Sequence, residues 1–274
     1  MLAHDVARNT PPPVRRVPRR VWRDGTLHIG ERSLAEEVPV AIAYDGTTYA
    51  VMMATPSDLQ DFALGFSRTE GIIAAAAQIA ELAVVSVPEG IVLQIWLSED
   101  RSTALAARRR RLIGPAGCGM CGLDNLAEAN RRIPTSNSCL TLSRRDIADA
   151  TAALPAQQEL NMQTRAVHAA AFWQRHHGLI LREDVGRHNA LDKLAGAMLR
   201  TGRSATEGVV VLSSRISVEL VQKAGVMGAA IIVGVSAPTA LAVRVAETAG
   251  ITLVGIARDD GFETFTYPER ISCW

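Results

Sequence analysis

Cysteine is scarce in this chain: Cys118, Cys121, Cys139 and Cys273 are the only four among 274 residues. That is too few for a secreted domain built on disulfides. Net charge is nearly absent as well, at +1, which excludes a general nucleic-acid binder relying on a basic surface. No apolar run approaches the roughly 20 residues of a membrane span; the longest candidates are broken by glycine or charge. The N-terminus lacks the apolar segment of an export signal, since Met1 is followed by a polar stretch rich in proline and arginine. These absences make the cytoplasm the expected compartment. Thiols stay reduced there, and a close cysteine pair is more often catalytic or metal-binding than structural.

Apolar residues account for 48% of the chain, enough for a sizeable core in one large domain or two smaller ones. Residues 1–20 read as a flexible basic arm, a solvated tail by composition. Two apolar runs flank Asp45-Gly46 between Val38 and Met53, a hairpin signal. Thr55 to Asp58 then opens a helix carrying Leu59, Phe62, Ala63 and Phe66, with Ser57 or Asp58 as its cap. Ile91–Leu97 is a further expected strand, and Leu123–Ala129 and Arg144–Ala153 are expected helices.

The second half has the clearest rhythm. Strands at Gly178–Arg182, Gly208–Ser213, Ala229–Val235 and Ile251–Ala257 alternate with helices at His188–Arg200, Val218–Met227 and Pro238–Ala249. Continuous Val/Ile/Leu strands fit a parallel sheet covered by helices on both faces. The fold class expected is α/β, with a smaller N-terminal α+β part over 21–135 that ends in a cysteine loop, and an α/β domain over 136–274.

That loop is Gly114-Pro-Ala-Gly-Cys118-Gly-Met-Cys121-Gly122. Glycines leave the backbone free to adopt positive φ. A helix starting near Asp124 would favour thiolate at Cys121 and at Cys118 through its N-terminal dipole. A nucleophilic sulfur on such a loop can accept a second sulfur as a persulfide, and a thiol three residues away can assist exchange or resolve a mixed disulfide. Three other readings stay open: half of a zinc site lacking two ligands, a thioredoxin-like redox pair, and two inert buried cysteines. A deaminase would need a His-x-Glu, and His168 is followed two residues later by Ala170. His168 itself reads as a satisfied core residue in an apolar strand.

A second set of polar residues falls at expected strand ends, where α/β folds seat ligands. Asp184, Arg187, His188, Asn189, Asp192 and Lys193 surround a helix start; a salt-bridged, solvated helix start is the competing reading. Ser214, Arg215 and Ser217 follow one strand, with Ser217 as a plain helix cap the alternative. Ser236 and Thr239 follow the next, with Pro238 near the first helical position. Arg258 to Phe262 follow the last, as a turn or a ligand loop. The set suggests an anionic, nucleotide-like ligand.

Cys118-Gly-Met-Cys-Gly122, Asp184-Val-Gly-Arg-His-Asn-Ala-Leu-Asp-Lys193, Ser214-Arg215, Ser236-Ala-Pro-Thr239 and Leu253-Val-Gly-Ile-Ala-Arg258 together resemble the formate dehydrogenase accessory sulfurtransferase family, from about Glu37 to Ile271. The resemblance implies a sulfur carrier. A cysteine desulfurase would load Cys118 with persulfide sulfur, Cys121 assisting. The acceptor would be the bis-guanine-dinucleotide molybdenum cofactor (bis-MGD), and the client formate dehydrogenase. It further implies a cytidine-deaminase-like C-terminal sheet layered with helices, a homodimer, and a cofactor segment at Ala257, Arg258, Asp259, Asp260, Gly261 and Phe262. With these, Asp184, Arg187, His188, Asn189, Lys193, Ser214, Arg215, Ser236 and Thr239 are the candidate cofactor-binding residues. No metal or permanent cofactor of the protein's own is expected, and no membrane or nucleic-acid partner. The alternative is a molybdenum-cofactor chaperone without covalent sulfur transfer.

Overall fold

A computed structural model describes residues 3–5, 10–112 and 133–272. Cys118, Cys121, Cys273 and the helix expected over Leu123–Ala129 lie outside them.

The first large sheet has five strands in the order β1-β6-β7-β4-β5: β1 (Ala3–Asp5), β4 (Val38–Tyr44), β5 (Thr47–Ala54), β6 (Ile79–Val87) and β7 (Gly90–Leu97). Asp45 and Gly46 both have positive φ, 50° and 77°. That is the requirement of the tight two-residue turn predicted between β4 and β5. Helix α1 (Leu59–Thr69) lies on this sheet and buries Leu59, Phe62, Leu64 and Phe66 against Val40, Ile42, Leu93 and Ile95. Asp58 stands at its N-cap but makes no capping hydrogen bond; its carboxylate pairs with Arg182 at 3.4 Å instead. Helix α2 (Glu99–Leu112) follows β7 and contains the Arg108–Arg111 run.

The second sheet has six strands in the order β10-β9-β11-β12-β13-β14: β9 (His168–Gln174), β10 (Gly178–Asp184), β11 (Val209–Leu212), β12 (Ile231–Gly234), β13 (Thr252–Arg258) and β14 (Gly261–Thr266). Only β11, β12 and β13 are parallel; β9, β10 and β14 pair antiparallel. The sheet is therefore mixed, not parallel throughout as the run pattern suggested. A fully buried strand reads alike in either direction, because the pattern reports burial and not polarity.

A short strand, β8 (Leu142–Ser143), pairs parallel with β15 (Ile271–Ser272) and leads into helix α3 (Arg144–Ala152), which covers one face of the six-stranded sheet. Ser143 and Asp146 form its reciprocal cap, and Arg175 clamps Asp146 through Nε at 2.9 Å and through Nη2. The short helices α4 (Leu154–Gln157) and α5 (Glu159–Thr164) follow. Helices α6 (Arg187–Thr201), α7 (Val218–Met227) and α8 (Ala240–Thr248) cover the other face. The layers are thus sheet, α1, the α6–α8 layer, sheet and α3.

The N-terminal stretch expected as a flexible arm is largely ordered. Val14–Arg23 (β2) pairs antiparallel with Thr26–Ala35 (β3) in a continuous ladder. Composition misled here: arginine and proline are poor core formers, but two exposed strands can pair through main-chain hydrogen bonds without a core of their own.

Candidate functional site

The two sheets meet where α1 crosses α6, and three buried carboxylates hold the seam. Asp184, at the end of β10, is 0% exposed. Its Oδ2 accepts from Lys193 Nζ at 2.6 Å and from the Thr55 N–H at 3.0 Å. Its Oδ1 accepts from Gly186 N–H and Asn189 Nδ2. Lys193 also donates to the Thr55 carbonyl, and Asn189 to that of Met53. Asp192 takes Lys223 Nζ at 2.9 Å and the Thr69 hydroxyl at 2.6 Å, and Lys223 reaches Glu70 as well. Asp61 on α1 receives Arg182 and Arg200. Asp184, Asn189 and Lys193 are thus engaged in joining β5 and α1 to α6, with their polar atoms directed at one another and at Met53 to Thr55. Charges so deep are tolerated only when paired.

The other candidates gather at the carboxyl edge of the second sheet. The loops after β11 and β12 run side by side, bridged between Ile216 and Pro238, with Thr239 N–H donating to Ile216 O at 2.9 Å. Thr239 caps α8 through Ala242 N–H. Ser214 is buried and its hydroxyl donates to Arg215 O, while Arg215 itself is exposed. Segment Ala257–Phe262 is no free loop. Strand β13 runs beyond its last pairing with β12, at Val254, to Arg258, and β14 returns from Gly261. Asp259 and Asp260 form the exposed hairpin tip, and Phe262 packs on the core. Ile256, at φ 52°, marks the register shift that directs this hairpin past the sheet edge.

Arg187 and His188 open α6 at this same edge. His188 Nε2 lies 3.5 Å from Ser217 Oγ and 3.9 Å from Glu219 Oε2, both from the start of α7. His168, which begins β9 beside the end of β11, is half-buried here and does not lie in the core. Burial, then the Arg187 charge, holds both imidazoles below their ordinary range, His188 down to about 4. Glu219 is pushed up by burial, but the Ser217 hydroxyl, its own N–H, His188 and Arg187 together hold it low. Arg187 Nε is buried with no hydrogen-bond partner among the described residues. Three helix N-termini, those of α6, α7 and α8, open along this edge, an arrangement that favours an anion. His168 and Glu219 are the residues that sequence reasoning did not assign here. A histidine in an apolar strand gives no signal of being the strand's first residue.

The His188 shift carries a pH consequence. The folded chain holds this imidazole neutral, whereas the unfolded chain protonates it near pH 6.5. Its contribution is therefore present above pH 6.5 and lost as pH falls from 6.5 towards 4. The urea midpoint of the wild type is expected to drop more steeply over that window than that of His188→Gln. Parallel curves for the two proteins would show that the ring is not held neutral by the fold.

Among the described residues no helix is long and apolar enough to cross a membrane. Known proteins resemble the chain along nearly its whole length. The model of the FdhD/NarQ family matches residues 35–272. A sulfur carrier protein FdhD of Agrobacterium fabrum is 50% identical over 259 residues, 94% of this chain and 96% of that protein. Its namesake in Cupriavidus necator is 44% identical over 91% of this chain and 87% of that one. A crystal structure from Desulfotalea psychrophila, of a candidate formate dehydrogenase accessory protein, superposes with a TM-score of 0.73. Its sequence identity is 26%, over 95% of this chain and 100% of the other.

Proposed function

This chain belongs to the FdhD/NarQ family, and from that premise we propose that it is a sulfurtransferase that carries sulfur from a cysteine desulfurase to bis-MGD in support of formate dehydrogenase. The observation that carries the reading is its 50% identity, over 94% of its length, to a protein named as a sulfur carrier. The Cys118-Gly-Met-Cys121 loop of the sequence supplies the thiols.

The chemistry follows from that pair. Cys118 thiolate attacks the outer sulfur of the donor's persulfide; the donor cysteine leaves as thiolate, and Cys118 holds S–SH. Giving up that outer sulfur as sulfide needs two electrons. Cys121 provides them by attacking the inner sulfur of Cys118, which expels hydrosulfide towards the acceptor and leaves a Cys118–Cys121 disulfide. A reductant of the thiol class then resets the pair.

The acceptor is seated, in this reading, at the carboxyl edge of the second sheet. The buried, unpartnered Arg187 Nε and the helix N-termini suit its phosphates. Arg215, Ser236 and the Ala257–Phe262 hairpin line the same edge. Ser214 and Thr239 shape its loops, and Asp184, Asn189 and Lys193 position Arg187 and His188 from below. An antiparallel hairpin beside three parallel strands, in the order β10-β9-β11-β12-β13, supports reading the sheet as cytidine-deaminase-like. A cytoplasmic homodimer is part of the same proposal.

The test is intact mass after incubation with a cysteine desulfurase and cysteine. A reducible gain of about 32 Da, lost in Cys118→Ser, is expected. In Cys121→Ser the gain should persist and fail to discharge. After discharge the wild type should be about 2 Da lighter than the reduced chain, the mark of the disulfide. No gain in a folded protein with an active desulfurase would turn the reading to a cofactor chaperone.

A further inference from the structure

The β2–β3 ribbon belongs to neither large sheet. Its ladder runs unbroken from Val14↔Ala35 to Arg23↔Thr26, about 33 Å at roughly 3.3 Å per residue. A two-stranded hairpin of this kind is marginal in water on its own. It meets the body along α5, where Arg32 donates to the Thr164 carbonyl at 3.3 Å.

The alternation of side chains gives it two distinct faces. One places Arg15, Arg19 and Arg23 opposite Leu34, Gly30 and Thr26, with Arg32 and His28 between. The other pairs Trp22 with Leu27, next to Ile29. Trp22 is 73% exposed and Ile29 81%. Residues 14–35 hold six arginines against Asp24 and Glu31, while the whole chain carries only +1, so the remainder of the molecule is acidic.

A complementary surface exists on the same chain. A cleft of about 620 Å³ is lined by three carboxylates, Asp58, Glu159 and Glu183, against one cation, Arg182, which Asp58 and Asp61 already engage, and by the apolar Leu160, Leu179 and Leu181. Its wall is β10, which pairs with β9 on one side and with no described strand on the other. Ser57 Oγ, also in the lining, is buried without a hydrogen-bond partner among the described residues. An acidic cleft beside an open strand edge suits an extended, basic, partly apolar segment. The ribbon has that character, yet its own tip stands in solvent. Pro13, where the ribbon leaves the body, lies at the mouth of the cleft. Two copies related by a two-fold axis near that mouth can therefore exchange arms reciprocally.

We propose that the β2–β3 ribbon of one copy docks in the β10 cleft of a second copy, and that this exchange holds the homodimer. The inference deepens the dimer named above and is independent of the sulfur chemistry.

The full chain should run as a dimer in light scattering at tens of micromolar. Trp22→Asp with Ile29→Asp, on exposed positions, should weaken dimerisation about 30-fold or more while leaving the circular dichroism spectrum unchanged. p-Benzoylphenylalanine in place of Trp22, in a mixture of ¹⁴N- and ¹⁵N-labelled copies, should crosslink between chains to residues 157–160 or 179–183. A monomeric wild type, a dimer indifferent to the ribbon substitutions, or interchain crosslinks that map elsewhere would each overturn the proposal. Persulfide loading on the same samples keeps the two ideas apart: a monomeric variant that still gains about 32 Da separates carrier chemistry from assembly.

Discussion

Gly65→Ala is expected to cost about 3 kcal/mol or more and to loosen the junction between the two sheets. A Cβ at Gly65 would lie 1.6 Å from the Asp192 carbonyl oxygen, and one at Gly196 would lie 1.9 Å from that of Asp61. The two glycines let α1 and α6 touch backbone to backbone. Overpacking usually costs 1–3 kcal/mol because neighbouring side chains can rotate away. Here the obstacle on each side is main chain, so the helices themselves must separate. That movement strains the ion pairs along the same seam, Asp61 with Arg182 and Arg200, and Asp192 with Lys223. The check is the urea midpoint of Gly65→Ala, Gly196→Ala and the double variant. Once either methyl has parted the helices, the second adds less than its own single cost. A wild-type midpoint in Gly65→Ala would mean that the helices do not cross in contact.

Lys193→Ala should be comparably severe, at about 3–5 kcal/mol. It leaves Asp184 at 0% exposure without its cation, and only the N–H groups of Thr55 and Gly186 and the Asn189 amide remain as donors. The cost comes from the carboxylate left behind more than from the loss of the pair. Lys193→Met combined with Asp184→Asn is therefore expected to recover part of the midpoint lost in Lys193→Ala: no uncompensated charge remains, and the cost left over is the main-chain N–H that the new amide nitrogen faces in place of an oxygen. If the double variant is as unstable as the single one, stranded charge is not the cause. Because Lys193 lies on the same helix as Arg187 and His188, persulfide discharge to the acceptor should fall with stability in Lys193→Ala and return in the pair.

The sequence alone settled what local chemistry settles. Asp45-Gly46 specifies its turn because both positions need positive φ, and few residue pairs accept that. The Val/Ile runs of β11 and β12 announce burial on both faces, and the helices between them follow from apolar spacing. The paired cysteines, and the hydroxyl and arginine residues at strand ends, are visible as chemistry at a glance. Strand direction is invisible in such runs, and so is pairing across distant sequence. Asp184, Asn189 and Lys193 read as ligand groups because nothing local shows that Met53 and Thr55 would meet them across more than a hundred residues. His168 read as core because its neighbours are apolar, while its place at the edge depends on where β11 ends. The ribbon read as a tail because its partner strand and its exposure are properties of the folded chain. The sequence determined which elements form and which side chains are reactive, through backbone preference and periodicity. Only the tertiary structure decided which charges neutralise one another in the seam and which remain available at the edge, because burial and pairing are set by contacts that no local pattern encodes.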